Sequence, residues 1–296
     1  MNILRQKKIT IFLYHDINNE PSKFCKDFNL NVSSHIFEKQ IKYIQKKFNI
    51  INPDQLLNKK KLPDNPALIT FDDGFAGAFN NGIQYLVEHK IPSIMFLNMG
   101  HIINKSPLVS SKALFYQNFC NELNLNKNQM LHLTLNPNNL LKIESKLSKN
   151  YDKEIFDYQG KLADLNLVTK YAKSNYVYYG NHLFEHWNSN ALNNNEFFNN
   201  LKKNEKTLKN LGNYSDYFAF PNGKFVNDHI KELKKIGMKK IFYSAGKINF
   251  NSNNFNLDRI ALTDLEYNST KISIRLLKSN YKNFFINKFL GILRRL

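Results

Sequence analysis

Two adjacent carboxylates, Asp72 and Asp73, come directly after the mostly apolar stretch Leu68–Phe71, and a glycine follows them. Such a stretch predicts a buried strand. Like charges this close repel each other, and burying them is costly unless a positive group lies between them. A divalent cation bound by one of the two carboxylates would offset the repulsion.

Two histidines, His182 and His186, are four residues apart beyond another predicted strand. On a helical turn this spacing places both imidazoles on one face, where both can reach one metal ion. With one carboxylate they make a three-ligand set, which leaves positions open for water, as a catalytic metal needs. We therefore expect one aspartate to bind the cation. Its neighbour would take a proton from water that the cation has made more acidic.

Two further strand ends carry polar residues, namely His15 with Asp16 and the turn Pro221–Gly223. Parallel α/β folds place reactive groups just past the carboxyl ends of their strands. These positions are therefore expected to join the same site. For His15, a buried core histidine is the alternative interpretation.

Strands and helices alternate through the first hundred residues, which is typical of a parallel α/β architecture. Strands are predicted at Lys8–Tyr14, Ala67–Phe71 and Tyr176–Tyr179, and an amphipathic helix is predicted at Ser34–Phe48. Residues from about 101 to 170 are less regular and predict a helical insertion. A later amphipathic helix covers residues 194–211, with Phe197, Leu201, Leu208 and Leu211 facing inward.

The chain has a net charge of +18, which suggests nucleic acid, an anionic membrane face or a phosphorylated substrate. The lysines are scattered, so drift in composition is an equally good explanation. No zinc-finger spacing, helix-turn-helix pattern or compact basic stripe is present, and we expect no nucleic-acid partner. Cys25 and Cys120 form no disulfide framework. The N-terminal residues resemble a first core strand more than a signal peptide, and this predicts a cytoplasmic protein.

The C-terminal residues 271–296 mix aromatic and aliphatic side chains with basic ones, including Lys282, Lys288, Arg294 and Arg295. This segment is either a basic amphipathic helix on an anionic membrane or a last helix that packs on the body. Residues 1–270 are expected to form the catalytic domain.

Five short motifs together resemble the polysaccharide deacetylase family, the NodB-homology group also called carbohydrate esterase family 4. In order, they are FLYHDI from Phe12, TFDDG from Thr70, NHLFEH from Asn181, FAFPNG from Phe218 and LDRI from Leu257. The first and last are similar to a branch of the family that begins with a Tyr-His strand. The resemblance runs from about residue 8 to 262.

The resemblance implies a distorted (β/α) barrel and metal-dependent hydrolysis of an N-acetyl group on a sugar. Its implied metal ligands are Asp73, His182 and His186, with zinc first and cobalt or nickel as alternatives. Its implied catalytic groups are Asp72 as base, the backbone N–H of Asn222 as oxyanion donor, and His15 as general acid.

Three positions depart from the family pattern. Leu183 stands where many members have Ser or Thr, and Ala219 stands where many have the arginine that orients the base. The late leucine-x-histidine motif is absent, which fits a general acid supplied by His15. We predict that Arg259 replaces the missing arginine from a neighbouring strand.

The predicted function is de-N-acetylation, or removal of another N-acyl group, in the synthesis of a cell-envelope glycan. The substrate would be an N-acetylated sugar, a glycan or a lipid-linked sugar, with peripheral contact at the inner face of an anionic membrane. The alternative is a catalytically inactive barrel that binds carbohydrate or membrane. Retention of Asp72 argues against it, because binding a metal does not by itself require a second carboxylate.

Overall fold

A computed structural model of the chain describes residues 8–57, 62–119 and 136–281. Parallel strands in these ranges form a nearly closed barrel, and this confirms the predicted (β/α) architecture. The strands are β1 (Thr10–Tyr14), β2 (Asp16–Ile17), β3 (Asn31–Val32), β4 (Asn49–Ile50), β5 (Pro66–Phe71), β6 (Ser93–Leu97), β7 (Val177–Asn181), β8 (Tyr214–Ala219), β9 (Lys240–Tyr243), β10 (Asn256–Asp258) and β11 (Ile260–Ala261).

The barrel sheet has the order β10-β9-β8-β7-β6-β5-β1-β11, and β4 pairs with β5 beside it. The two end strands, β10 and β11, are consecutive in the chain with only Arg259 between them. Because β10 pairs with β9 and β11 pairs with β1, this one segment connects the two edges of the sheet. Arg259 therefore lies where the barrel closes.

Side chains alternate between the barrel interior and the surrounding helices, as the two-residue period of a strand requires. In β5, Leu68 belongs to the interior cluster, whereas Ile69 and Phe71 belong to the cluster beneath the helices. The strands β1, β5 and β6 are mostly apolar and fully buried because both faces of the sheet are covered there. Gly180 is needed inside the barrel, since a Cβ there would lie 2.4 Å from the Phe96 ring.

Helices surround the sheet and occupy the connections between its strands. They are α1 (Lys23–Asp27), α2 (Ser34–Lys47), α3 (Gln84–Glu88), α4 (Met99–Asn104), α5 (Val109–Phe119), α6 (Pro137–Glu144), α7 (Asp152–Gln159), α8 (Leu165–Ala172), α9 (Asn194–Leu211), α10 (Asn227–Lys235) and α11 (Ser269–Tyr281). A π-helical segment, Ala78–Ile83, leads into α3.

The predicted helix over residues 194–211 is confirmed as α9. Asn193 and Glu196 form a capping box at its start. Three of the four residues expected to face inward are buried, whereas Leu211 is only partly buried at the end of the helix.

The predicted helical insertion corresponds to α4–α8, which lie between β6 and β7. Residues 120–135 of this region, including Cys120 and His132, are outside the described residues. The division into a domain of residues 1–270 and a tail stays a prediction.

The predicted tail begins within α11. Ile272 is buried, and the hydroxyl of Ser273 lies 2.7 Å from that of Tyr43 on α2. This part of the tail therefore packs on the body. The four basic residues singled out beyond it, Lys282, Lys288, Arg294 and Arg295, lie outside the described residues. None of the helices in the described part of the chain is long and apolar enough to span a membrane.

Candidate active site

Asp72 and Arg259 lie just past the ends of two barrel strands and continue the alternation of side chains between the barrel interior and the helices. Asp72 follows Leu68 and Thr70 on the interior side of β5, and Arg259 follows Leu257 on the interior side of β10. Parallel register brings the ends of β1 and β5 to one level, since Tyr14 pairs with Phe71. β11, which directly follows Arg259, pairs with β1 on its other side. The geometry of the sheet thus directs polar groups from distant parts of the chain toward one place.

Asp73, His182 and His186 form one buried cluster. Oδ1 of Asp73 lies 3.3 Å from Nε2 of His182 and 3.2 Å from Nε2 of His186. One ligand atom from each residue lies within 4.8 Å of the other two. Nitrogen and oxygen ligands held about 2.0–2.1 Å from a tetrahedral ion lie roughly 3.3–3.4 Å apart. The donor set and its spacing therefore fit a divalent metal such as zinc.

The other ring nitrogen of each histidine has a partner that fixes its orientation. Nδ1 of His182 lies 2.8 Å from the carbonyl oxygen of Ala219, and Nδ1 of His186 lies 3.1 Å from the hydroxyl of Ser110. A proton on Nδ1 leaves the lone pair of Nε2 directed at the cluster. Both imidazoles are thus arranged as ligands through Nε2.

Left-handed backbone separates the two adjacent carboxylates. Asp73 has φ +71° and Gly74 has φ +83°, so the chain turns sharply where the strand ends. This turn brings Asp73 to the histidines while Asp72 stays on the barrel-facing side. Non-glycine residues adopt this conformation at a cost of about 1–3 kcal/mol, and such residues cluster at functional sites.

The two histidines lie on a loop, not on the helical turn that their spacing suggested. Leu183 interrupts any helix with φ +66°, and its N–H donates to Oδ1 of Asn181 at 2.9 Å. The side-chain amide of Asn98 donates to the carbonyl oxygens of His182 and Leu183. The four-residue spacing brings the imidazoles together through these loop contacts, so the helical explanation was wrong.

Charge strongly shifts the acidity of the buried groups in this cluster. Burial acts to raise the pKa of Asp73, but His186 and His182 outweigh it and hold that pKa well below its usual range. Burial would lower the pKa of His182, yet Asp72 and Asp73 raise it. The site therefore favours ionised carboxylates beside the imidazoles.

Arg259 holds Asp72 through two hydrogen bonds. Its Nη1 and Nη2 donate to Oδ1 and Oδ2 of Asp72 at 2.6 and 2.7 Å, and its Nε donates to the carbonyl oxygen of Tyr243 at 3.1 Å. Burial acts to raise the pKa of Asp72, but Arg259 and then His182 outweigh it, so the pKa lies below its usual value. Arg259 thus occupies the place predicted for it, although its role stays a prediction.

His15 directly follows β1, is half-buried, and interacts electrostatically with Asp73, Asp72 and Arg259. Burial lowers its pKa, and the two carboxylates only partly oppose this effect. The structure therefore brings His15 to the site, while its assignment as general acid stays a prediction.

The Pro221–Gly223 turn lies beside the histidine loop. Asn222 has φ +54°, and its side-chain amide donates to Oδ1 of Asn188 at 2.7 Å. The turn begins two residues after Ala219, the end of β8, and the carbonyl oxygen of Ala219 contacts His182. β8 pairs with β7, the strand that precedes the histidine loop. Asn222 is therefore positioned next to the cluster, and its oxyanion role stays a prediction.

Sequence reasoning missed several side chains that support the cluster. Ser110 on α5 contacts His186, and Nε2 of His101 accepts a hydrogen bond of 3.0 Å from the N–H of His186. Nδ1 of His101 lies 3.0 Å from the hydroxyl of Ser106. Nothing in the local pattern around His101 or Ser110 marks them, because their contacts with His186 cross 85 and 76 residues. Asn98 could have been found, since it also follows a barrel strand.

Trp187 packs beside the metal loop and does not offer a free face for stacking on a sugar. It is only 6% exposed, and its indole N–H donates to Glu185 at 2.8 Å. Of the two interpretations considered for Trp187, packing is therefore the one that fits.

Comparison with known proteins identifies the family of the chain. A family model described as polysaccharide deacetylase matches residues 59–241, more than half of the chain. No curated protein matches the chain in sequence.

Solved structures of low sequence identity share the fold over nearly the whole chain. A deacetylase, PplD, from Streptococcus pyogenes has a TM-score of 0.65 at 14% identity, covering 92% of this chain and 99% of that one. IcaB from Ammonifex degensii has a TM-score of 0.62 at 16% identity, covering 92% and 97%. A de-N-acetylase from Aggregatibacter actinomycetemcomitans also has a TM-score of 0.62 at 16% identity, covering 91% and 100%. On the strength of the family match and the shared barrel, the chain belongs to the polysaccharide deacetylase family.

Proposed function

We propose that this protein is a metal-dependent hydrolase that removes an N-acetyl group from a sugar within a glycan. The observation that carries the proposal is that two adjacent carboxylates have different partners. Asp73 lies within 3.3 Å of two imidazole nitrogens, and its neighbour Asp72 is held by Arg259. One carboxylate is thus placed to bind a cation and the other to move a proton.

Asp73, His182 and His186 would hold the metal, with zinc as the first candidate because imidazole and carboxylate ligands suit it. A divalent ion bound there would act as a Lewis acid and make water more acidic. All three residues are at most 5% exposed, which keeps bulk water from competing for the ligands.

Asp72 would act as the general base that takes a proton from the attacking water. Its pKa lies below the usual value, so the carboxylate is ionised and able to accept a proton at neutral pH. Arg259 would fix its orientation through the two hydrogen bonds. A base held in one orientation contributes more to catalysis than a mobile one.

The backbone N–H of Asn222 would donate to the carbonyl oxygen as negative charge develops on it. His15 would then give a proton to the nitrogen that leaves as the C–N bond breaks. Both groups follow strands of the same barrel, at the end where the Asp-His-His cluster lies.

An inactive binding barrel is the alternative. A bidentate, buried ion pair is costly to assemble, and removing either partner would leave a buried charge unpaired. A protein that had lost catalysis would have no use for this arrangement beside the three ligands. We therefore favour the enzyme.

The native substrate would be a surface glycan or a lipid-linked precursor of one, handled at the inner face of an anionic membrane. The described part of the C-terminal helix supports contact with an anionic membrane. Ile274 and Leu277 are exposed on α11, between the exposed lysines Lys271 and Lys278. Such a surface suits the interface of an anionic bilayer.

The test compares metal content and acetate release for wild type, Asp72→Asn and His182→Ala. Asp72→Asn is expected to retain the metal and lose turnover, because the ligands remain and the base is gone. His182→Ala is expected to lose both. Asp228→Asn is the matched control, since Asp228 is an exposed residue on α10.

Wild-type turnover by Asp72→Asn would show that the assigned base is wrong. Full metal occupancy in His182→Ala would show that the assigned ligand set is wrong. Retention of metal by wild type and by Asp72→Asn, with no acetate released by wild type from any acetylated glycan, would favour the inactive barrel.

A further inference from the structure

The turn Pro221–Gly223 leaves one of its backbone N–H groups free. The N–H groups of Gly223 and Lys224 each donate to the carbonyl oxygen three residues earlier in the chain, at 3.0 and 3.2 Å. Among the described residues, none accepts a hydrogen bond from the N–H of Asn222. The neighbouring N–H groups therefore hold the turn together, and the N–H of Asn222, the proposed oxyanion donor, is available to a ligand.

Asn222 adopts a left-handed conformation, with φ +54° and ψ +15°. Glycine adopts this conformation at the lowest cost, and asparagine tolerates it better than most other residues. Asn222 is exposed, so the turn by itself would accept glycine there. The asparagine adds one contact that glycine cannot make, since its Nδ2 donates to Oδ1 of Asn188 at 2.7 Å. This bond joins the turn to the segment that carries the metal ligand His186.

Asn188 is held firmly in that segment. It is only 8% exposed and lies two residues after His186. The hydroxyl of the next residue, Ser189, lies 2.6 Å from Nδ1 of His229 on α10. The imidazole of His229 stacks on the ring of Phe197 on α9, with centroids 4.0 Å apart. Asn188 is thus fixed on one side by the histidine loop and on the other by packing between two helices.

We propose that Asn188 is a positioning residue for the reaction. Its side-chain oxygen holds the turn so that the N–H of Asn222 stays directed at the substrate carbonyl, at a fixed distance from the metal ligands. Asn188 touches neither the substrate nor the metal and acts through Asn222. The inference rests on the proposed function, because it takes that N–H to be the oxyanion donor. It goes beyond that function by assigning the contact that keeps the metal loop and the oxyanion turn in register.

The size of the effect follows from what the donor contributes. Removing an oxyanion donor altogether lowers kcat roughly 100- to 1,000-fold. Loss of the bond between Asn188 and Asn222 keeps the donor but lets the turn move, so a smaller loss of about tenfold is expected. The interaction strengthens only as charge develops on the carbonyl oxygen. The loss should therefore fall on kcat, and KM should change by less than about twofold.

The test measures acetate release from the tetramer of N-acetylglucosamine by the metal-loaded full chain. Asn188→Ala removes the acceptor, and Asn222→Gly removes the side-chain donor while supplying a residue that adopts the left-handed conformation. Each change should lower kcat about tenfold. Because both changes break the same bond, the variant that combines them should be no slower than the slower of the two single variants.

Asn213→Gly is the matched control. Asn213 also has a left-handed backbone, with φ +52°, and its side-chain amide donates to the carbonyl oxygen of Ser174 at 2.6 Å. It precedes β8 and so lies at the opposite end of the strand that leads to the turn. Asn213→Gly should keep the wild-type kcat.

Metal affinity, measured by competition with a chelator, distinguishes positioning of the donor from support of the ligands. Asn188→Ala should bind the metal as tightly as wild type does. Weaker binding in step with the loss of kcat would overturn the proposal, because Asn188 would then act through His186. A wild-type kcat in Asn188→Ala would also overturn it, and so would a loss in the combined variant equal to the product of the two single losses.

Hydrogen exchange separates failure of the positioning role from failure of the proposed function, because it needs no turnover. The amide of Lys224 should exchange about tenfold faster in Asn188→Ala and in Asn222→Gly than in wild type, whereas Asn213→Gly should leave its exchange unchanged. This result would support the positioning of the turn even if wild type released no acetate. Equal exchange in all four proteins would overturn it.

Discussion

Removing the guanidinium of Arg259 should strongly destabilise the fold, because a carboxylate would then be buried without its counter-charge. Arg259 is 1% exposed and Asp72 is 4% exposed, and they share hydrogen bonds of 2.6 and 2.7 Å. Breaking such a pair from one side costs about 3–5 kcal/mol. For Arg259→Met we expect the free energy of unfolding at pH 7 to fall by this amount.

The assay is urea unfolding followed by circular dichroism, with a chelator present so that metal loss does not contribute. Asp72→Asn and the double variant complete a cycle with Arg259→Met. The double variant should be less destabilised than Arg259→Met alone, because asparagine carries no charge that would be left unpaired inside the barrel.

The control is Lys231→Met, which removes a partner of Asp228 at 3.0 Å on the surface of α10. The side chains of Lys231 and Asp228 are both exposed, so the expected cost is below about 1 kcal/mol. The reasoning is refuted if Arg259→Met costs no more than this control. It is also refuted if the double variant is destabilised by the sum of the two single changes, since additivity would mean that the two residues do not interact.

Three further predictions concern stability, the support of the metal loop and membrane contact. Burial raises the pKa of Asp16 from 3.8 to about 6, so the folded state binds this proton more tightly than the unfolded state does. Stability should therefore fall as pH rises from about 4 to 6, by about 3 kcal/mol in all. Asp16→Asn should not show this loss. Chemical unfolding should therefore give the variant a larger gain in unfolding free energy over wild type at pH 7 than at pH 4.5. An equal gain at both pH values would contradict the raised pKa of Asp16. His101→Ala removes the acceptor of the His186 N–H and should weaken metal binding about 10–100-fold in competition with a chelator, and unchanged affinity would mean that the loop needs no such support. Lys271→Glu combined with Lys278→Glu should reduce co-sedimentation of the full chain with phosphatidylglycerol vesicles several-fold, whereas equal sedimentation would exclude α11 from the contact.

Much of the barrel could be predicted because its signals are local. Leu68–Phe71 is apolar except for Thr70, and both faces of a parallel sheet are covered, so this short stretch predicts a buried strand. Asn194–Leu211 has helical periodicity with a capping box, and the observed helix has the predicted bounds. Residues of reactive types that follow strands, such as Asp72 and His182, could be recognised without coordinates.

The support of the site could not be predicted, because it depends on contacts between residues far apart in the chain. Ser110 meets His186 across 76 residues, and His101 meets the same histidine across 85. No spacing rule records such pairs. The helical interpretation of the two histidines was wrong for the same reason, since loop contacts from Asn98 decide that conformation.

The sequence by itself therefore determined which residues could do chemistry and which strands carry them, because composition, alternation and strand ends are local properties. Only the tertiary structure decided how these residues meet. Closure of the sheet through residues 256–261 puts Arg259 against Asp72, and the left-handed turn at Asp73 sends two neighbouring carboxylates to different partners. Distances across a closed barrel follow from strand order and register, and these are properties of the whole fold.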